Sequence, residues 1–181
     1  MALIPLIDRQ DMPEDKRHIY DAIAGTRGSV LNVFRSLLNS SDAAEVVSQL
    51  GEYIRYRSEL NPSAREIAIL ATAKENNVPY EWSQHEPIAR KVGVRDDVIA
   101  SIKSGKAPRG LPPKEGIFVQ ASKELVNDGS LNKTTLDALI HLIGIVQTID
   151  LMVLVGYYSL LGNILKSLEV ELDSGVQNTF K

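Results

Sequence analysis

The 181-residue sequence contains no cysteine. This absence excludes disulfide bonds, thiolate metal sites, iron–sulfur clusters and every mechanism that needs a reactive or redox-active thiol. The 20 basic residues are outnumbered by 23 acidic ones and form no long run, so the chain lacks the positive surface that nucleic acids bind. We therefore expect neither thiol chemistry nor a nucleic-acid partner.

Hydrophobic runs of membrane-spanning length are missing as well. Asp150 divides the most apolar stretch, 138–165, into two parts that are each shorter than the ~20 residues a helix needs to cross a bilayer. The apolar N-terminus, 1–8, is short and has no basic residue before its apolar part, unlike a secretory signal. The sequence predicts a cytoplasmic protein with no membrane partner.

The apolar content that is present suffices for one packed domain. Hydrophobic residues make up 44% of the chain and charged residues 24%, a balance that favours a folded core over disorder. We expect a single domain over 1–181, with a frayed tail at 173–181.

Helix signals occur along nearly the whole chain without a competing strand-like alternation, so the sequence predicts an all-α fold. Asn61 and Pro62 are typical of a helix start, and Gly93 of a helix end. The segment 106–113 is the clearest loop, because prolines and a glycine interrupt it. The predicted helices are 13–24, 42–57, 62–74, 80–92, 96–104, 114–128, 133–146 and 149–170, with a short amphipathic piece near 30–38.

The densest polar cluster, 80–86, contains a carboxylate and an imidazole on one helix face. Glu81 and His85 are four residues apart, so a helix places them about one turn apart on the same side. A carboxylate beside an imidazole orients the ring, as a general acid–base pair near neutral pH requires. Glu66 is a further candidate, since its helix is otherwise apolar. Both patterns also have ordinary interpretations, a solvated surface pair and an acid favoured by the helix dipole.

Two motifs carry a resemblance to a known family: Arg65-Glu66-Ile-Ala-Ile-Leu-Ala-Thr-Ala and Tyr80-Glu81-Trp82-x2-His85-x3-Ala89. Together they resemble the carboxymuconolactone decarboxylase family of the alkylhydroperoxidase-like superfamily. The likeness covers about 18–170, which we take as the core of the domain. It implies an alkylhydroperoxidase-like fold of paired antiparallel helices that assembles as a homo-oligomer, a trimer or a hexamer.

The resemblance also bears on the chemistry. Peroxidase members of the superfamily carry a Cys-x2-Cys-x3-His motif, and its cysteine positions fall here at Val78 and Glu81, with His85 retained. Glu66 falls on the glutamate of the peroxidase proton relay. The glutamate and the histidine of the acid–base relay are thus present without the two redox cysteines. Their absence excludes peroxidase activity for this chain. The family name implies loss of CO2 from a small lactone acid in aromatic catabolism.

We therefore predict an enzyme, a cofactor-independent lyase or isomerase of the decarboxylase type, which transfers protons on a small carboxylated ring or lactone. In this hypothesis His85 shuttles the proton, Glu81 sets the tautomer and basicity of His85, and Glu66 acts as relay or second base.

Four further residues are candidates for binding that small-molecule substrate. Arg57 or Arg55, just before the helix that carries Glu66, would bind a carboxylate. Trp82 and Tyr80 would form the pocket wall, although a lone tryptophan is also typical of a packed core.

Two alternatives to this enzyme remain open. A non-catalytic oligomeric protein that binds a small molecule or acts as a scaffold could leave Glu66, Glu81 and His85 solvated and far apart. The same three residues could in principle ligate zinc or manganese. The three histidines of the chain are scattered, however, and we predict no metal and no cofactor.

Overall fold

A computed structural model of the chain describes residues 2–105 and 113–180. Within these ranges the regular elements are helices and no strand occurs, which confirms the predicted all-α class. The predicted loop at 106–113 lies outside the described residues, except that Pro113 begins a helix. The α-helices are α1 (Arg17–Arg27), α2 (Asn32–Leu37), α3 (Ser41–Glu52), α4 (Pro62–Glu75), α5 (Pro79–Lys91), α6 (Asp96–Lys103), α7 (Pro113–Asn127) and α8 (Lys133–Ser167).

Helix α4 lies at the centre of the fold. It packs against α5, α6, α7 and α8, and Ile67, Ile69 and Leu70 are almost completely buried. Its start is the predicted one, since Pro62 is the first helical residue and the side chain of Asn61 accepts a hydrogen bond from the Ser63 N–H at 2.9 Å. The helix therefore carries its polar side chains into the interior of the domain.

Two helix boundaries differ from the predicted ones because glycine acts at a different position. Helix α1 continues through Gly25 and ends at Gly28, which adopts the left-handed conformation with φ 78°. Helix α8 is interrupted at Gly144 (φ 78°, ψ 169°) rather than near Thr148. Thr148 does not start a new helix, and its hydroxyl donates to the Gly144 carbonyl at 2.7 Å.

Asp150, which divides the apolar stretch in the sequence, is buried in the structure. Its carboxylate accepts hydrogen bonds from the hydroxyls of Tyr53 and Ser58, both at 2.8 Å. These contacts hold the π-helical turn Tyr53–Arg57, which continues α3, against α8. The burial of Asp150 thus fixes the turn that carries Arg55.

Length and composition alone would allow α8 to cross a membrane, and it is the one helix among the described residues of which this is true. One such helix is weak evidence, because a core helix of a helical domain has the same composition. In this structure α8 packs against α4 and α7. A cytoplasmic location is consistent with that packing and stays a prediction.

Residues 173–180 of the C-terminal tail contact the helices of the domain. The carboxylate of Asp173 accepts a hydrogen bond from the backbone N–H of Asn32 at 2.8 Å. The ring of Phe180 packs edge-on against Trp82, with 5.7 Å between the ring centroids. Local sequence patterns carry no signal for these contacts, because they join residues far apart in the chain.

Candidate functional site

The site begins with a buried pair contributed by the two central helices. Glu66 on α4 and His85 on α5 are 2% and 4% exposed, and Glu66 Oε2 lies 2.7 Å from His85 Nδ1. Because an ionised carboxylate only accepts hydrogen bonds, Nδ1 is the nitrogen that donates here. The contact orients the imidazole and leaves its second nitrogen, Nε2, for other partners.

The Nε2 side of His85 faces two further groups. The hydroxyl of Tyr158 on α8 lies 3.2 Å from Nε2, and Glu81 Oε2 lies 3.8 Å from it. Burial raises the pKa of the Tyr158 phenol well above its ordinary value, so this hydroxyl keeps its proton at neutral pH. His85 is therefore held between Glu66 on one side and Tyr158 and Glu81 on the other.

Glu81 and Glu66 are both buried, but their protonation differs. Burial raises the pKa of the Glu81 carboxyl to about 7, and the opposing effects of His85 and Arg55 do not cancel it. Burial also acts to raise the pKa of Glu66, but the charge and hydrogen bond of His85, with help from Arg65, more than offset it and lower that pKa. Glu66 is therefore ionised at neutral pH, whereas Glu81 is near its midpoint.

Glu81 also has an unsatisfied atom. Its Oε1 is buried and has no hydrogen-bond partner among the described residues, while its Oε2 is the atom that faces His85. Leaving a buried acceptor unpaired costs about 1–3 kcal/mol, so such an atom calls for an explanation. The missing partner leaves burial as the dominant effect on the pKa of Glu81.

A cavity of about 120 Å³ lies next to Glu81 and His85. By volume it admits only a small molecule. Glu81, His85 and Tyr158 line it, whereas Glu66 does not and contacts only the far side of the imidazole. The lining residues are Arg27, Leu31, Val33, Phe34, Arg55, Tyr80, Glu81, Gln84, His85, Ile88, Tyr157, Tyr158 and Leu161.

Two arginines line the cavity, and the sequence pointed to only one of them. Arg55 was a candidate, and the π-helical turn places it in the wall. Arg27 was missed: it lies at the end of α1, where its Nη2 donates to the Ser48 carbonyl at 2.9 Å and its guanidinium stacks 4.5 Å from the Phe34 ring centroid. An arginine just before the helix-ending Gly28 is the signal that could have identified it.

The neighbouring Gly51 is required by the cavity wall. A Cβ atom at Gly51 would lie 2.2 Å from the hydroxyl of Tyr157 and 3.1 Å from the guanidinium of Arg27. Both of these side chains line the cavity, and burial raises the pKa of the Tyr157 phenol to about 12. Any larger residue at position 51 would have to displace this part of the wall.

Of the other candidates for binding, the structure places only Tyr80 in the cavity wall. Arg57 is exposed, lies 3.9 Å from Glu52 and does not reach the cavity, because the π-helical turn directs Arg55 there instead. Trp82 is completely buried, and its Nε1 donates to Glu86 at 3.0 Å. Trp82 therefore belongs to the packing of α5 and not to the cavity wall.

The two positions that align with the peroxidase cysteines have separate environments. Val78 precedes α5 and packs so closely that a Cβ on Gly162 would lie 2.8 Å from its side chain, and it does not line the cavity. Glu81 does line it.

Among residues 2–105 and 113–180 no three His, Asp or Glu side chains are arranged as a metal site. The expectation of no metal and no cofactor remains an expectation.

Two crystal structures show the same fold. One is an uncharacterized peroxidase-related protein from Ralstonia eutropha JMP134, described as an alkylhydroperoxidase AhpD core (TM-score 0.79, 16% identity, 96% of this chain and 93% of that chain covered). The other is an uncharacterized peroxidase-related protein from Silicibacter sp. TM1040 (TM-score 0.77, 12% identity, 99% and 96% covered).

Residues 41–116 match the model of the Carboxymuconolactone decarboxylase family. The match includes α3 to α6 and therefore Arg55, Glu66, Glu81 and His85. It confirms the resemblance seen in the sequence for this part of the chain. No curated protein matches the sequence significantly. At these identities the two crystal structures support the fold alone.

Proposed function

We propose that this chain is a cofactor-independent lyase or isomerase, of the decarboxylase type, that transfers protons on a small carboxylated ring or lactone. One observation carries the proposal: Glu81, with a pKa of about 7 and an unpaired Oε1, lines the same small cavity as His85 Nε2. A group near its midpoint at neutral pH suits general acid–base catalysis. The match to the Carboxymuconolactone decarboxylase family supports the same class of reaction.

In the proposed mechanism the two cavity groups divide the proton transfers. His85, whose Nδ1 donates to Glu66, presents Nε2 as the base. Glu66, and not Glu81 as the sequence suggested, is hydrogen-bonded to Nδ1 and sets the tautomer of His85, so we assign Glu81 in its protonated form as the acid. In a decarboxylation the bond to the departing CO2 breaks, its electron pair moves into the adjacent carbonyl as an enolate, and a proton from Glu81 then adds to the carbon. In an isomerisation His85 first removes a proton from carbon, and Glu81 returns one elsewhere.

Two arginines in the wall support a carboxylated substrate. Arg55 and Arg27 both line the cavity, and guanidinium groups bind carboxylates through paired, charge-assisted hydrogen bonds. Arg55 also lies close enough to Glu66 and Glu81 to lower the pKa of each. We assign Arg55 to the substrate carboxylate.

Thiol-dependent peroxide reduction has no nucleophile in this chain. The two crystal structures of the same fold are described as peroxidase-related, but this sequence contains no cysteine. A thiolate is needed to attack the peroxide oxygen and a second thiol to resolve the product. The acid–base groups are the chemistry that remains.

We also propose that the protein is a homo-oligomer, a trimer or hexamer, with α8 at the contact between subunits. Ile145, Val146 and Ile149 on α8 are between 53% and 63% exposed, and Tyr56 on the adjoining turn is 53% exposed. Adjacent exposed apolar side chains of this size mark association surfaces. Sedimentation at micromolar concentration should detect the oligomer, and a monomer there would contradict it.

The decisive experiment measures proton transfer to carbon with the variant His85→Gln. Wild-type protein is incubated in D2O with a panel of carboxylated lactones and β-keto acids, and NMR follows deuterium entry, isomerisation and CO2 loss. We expect turnover of at least one compound and a loss of at least ~10²-fold in H85Q. His18→Gln, a surface histidine on α1, is the matched control and should be unaffected.

The same experiment separates the enzyme from its alternative. A non-catalytic binding protein would bind members of the panel with no deuterium entry and no turnover in the wild type. Turnover that H85Q leaves unchanged would reject the assignment of His85 as the base.

A further inference from the structure

A residue of the C-terminal tail is joined to the cavity wall. The carboxylate of Asp173 accepts three hydrogen bonds: from the backbone N–H of Asn32 at 2.8 Å, from Gln84 Nε2 at 2.7 Å and from the hydroxyl of Tyr80. Tyr80 and Gln84 both line the cavity and stand on α5, the helix of Glu81 and His85. One carboxylate therefore holds two side chains of the wall.

The hydroxyl of Tyr80 is fixed on both sides. It donates to Asp173 and accepts from the backbone N–H of Val33 at 3.3 Å, and the residue is 4% exposed. Tyr80 also lines a second, larger cleft between the start of α5, the end of α8 and the tail. Since the same ring borders both spaces, a change in its position would alter the shape of the cavity.

The tail follows α5 beyond Asp173. The backbone N–H of Thr179 donates to Ser83 Oγ at 3.2 Å, Phe180 packs on Trp82, and Lys74 Nζ lies 5.0 Å from the Phe180 ring centroid. Asp173 therefore lies where the C-terminal tail, which these contacts attach to α5, reaches the cavity wall.

We infer that Asp173 is a positioning residue of the cavity: by binding Tyr80 and Gln84 it fixes two side chains of the wall, and the C-terminal tail is thereby part of the site. The effect on ligands rests on the proposed function, whereas the positioning of Tyr80 does not. Asp173 reaches a bound molecule only through these two side chains.

The first test measures the position of Tyr80 without any ligand. Tyrosine nitration by tetranitromethane, mapped by mass spectrometry, should leave Tyr80 protected in the wild type. Asp173→Asn replaces one acceptor oxygen by an amide, so at least one of the three hydrogen bonds is lost. Because hydrogen bonds to a charged group are strong, we expect nitration of Tyr80 to accelerate about tenfold or more. Gln177→Ala, at an exposed position of the same tail, is the matched control.

The second test asks whether Asp173 acts through Tyr80. The affinity for 2-furoate, a small carboxylated ring, is measured by NMR titration for the wild type, D173N, Tyr80→Phe and the double variant. We expect D173N to weaken binding about tenfold and the double variant to lose less than the sum of the two single losses, because one of the hydrogen bonds of Asp173 is the one that Y80F removes. Additive losses would overturn a role through Tyr80.

These outcomes separate the inference from the proposed function. If the wild type fails to bind 2-furoate or to exchange protons while D173N exposes Tyr80, the proposed function fails and the positioning stands. If Tyr80 stays protected in D173N, the positioning is overturned whatever the activity. Thermal unfolding of each variant checks that a general loss of folding does not account for the nitration.

Discussion

The two carboxylates on either side of His85 are equally buried but have opposite environments. Glu66 lies behind the imidazole, is hydrogen-bonded to it at 2.7 Å and does not line the cavity. Glu81 lies on the cavity side, 3.8 Å from Nε2, with one oxygen unpaired. The partnered carboxyl has a lowered pKa, and the unpartnered one has a pKa raised to about 7. Burial alone therefore does not decide the protonation of an acid, and its partners do.

The largest expected effect comes from removing the proton of the cavity-side carboxyl. Glu81→Gln keeps the shape of the side chain but cannot give or take a proton. We expect turnover to fall by about 10² to 10⁴-fold at pH 7, in the range of a lost general acid. Steady-state rates with the substrate found in the deuterium experiment measure this. A variant with wild-type rates would show that Glu81 is not the acid.

The second prediction concerns stability against pH. Glu81 has an ordinary pKa of 4.5 and a folded-state pKa of about 7, so between these values the folded chain binds more protons than the unfolded one. The free energy of unfolding should therefore decrease as the pH rises from about 4.5 to 7, by on the order of 3 kcal/mol. Urea unfolding at several pH values measures it. E81Q should abolish this decrease, and an unchanged pH dependence would argue against the raised pKa.

The third prediction applies to the partnered carboxyl. Glu66→Gln retains a hydrogen-bond acceptor for His85 Nδ1 but loses the charge, so we expect a loss of about 1–3 kcal/mol in stability at pH 7. Turnover should fall by up to ~10²-fold through misplacement of the imidazole. The lowered pKa of Glu66 gives the opposite sign to Glu81, because its contribution is lost as the pH falls through the folded-state pKa. Unfolding curves for the wild type and E66Q at pH 7 and at values below 4.5 measure the contribution of Glu66, and curves for E81Q at pH 5 and pH 8 measure that of Glu81.

The smallest effect is expected at the arginines. Arg55→Lys keeps the charge in the cavity wall but removes the forked donor geometry, so binding of 2-furoate should weaken about tenfold. Arg57→Lys, two residues away and exposed, is the matched control and should bind as the wild type does. Equal losses in both variants would mean that the turn positions neither arginine for the ligand.

A feature of this protein could be predicted from the sequence when its contacts join residues that are close together in the chain. The starts of α4 and α8 were predicted because Asn61 and Asn132 cap the residues that follow them, accepting from the N–H groups of Ser63 and Thr135. The pairing of Glu81 with His85 was predicted from helical spacing alone. By contrast, the choice of Arg55 over Arg57 depends on the π-helical turn, which Asp150 fixes from another helix. Arg27 and Asp173 were missed for the same reason.

By itself the sequence determined the helical frame, the absence of thiol chemistry and the presence of an acid and an imidazole one turn apart. These properties follow from composition and from the geometry of a single helix. The tertiary structure decided which carboxyl is partnered, which arginine enters the cavity and that the tail joins its wall. Those outcomes depend on how helices distant in the chain pack together, and packing determines both the burial of each group and the partners that set its charge.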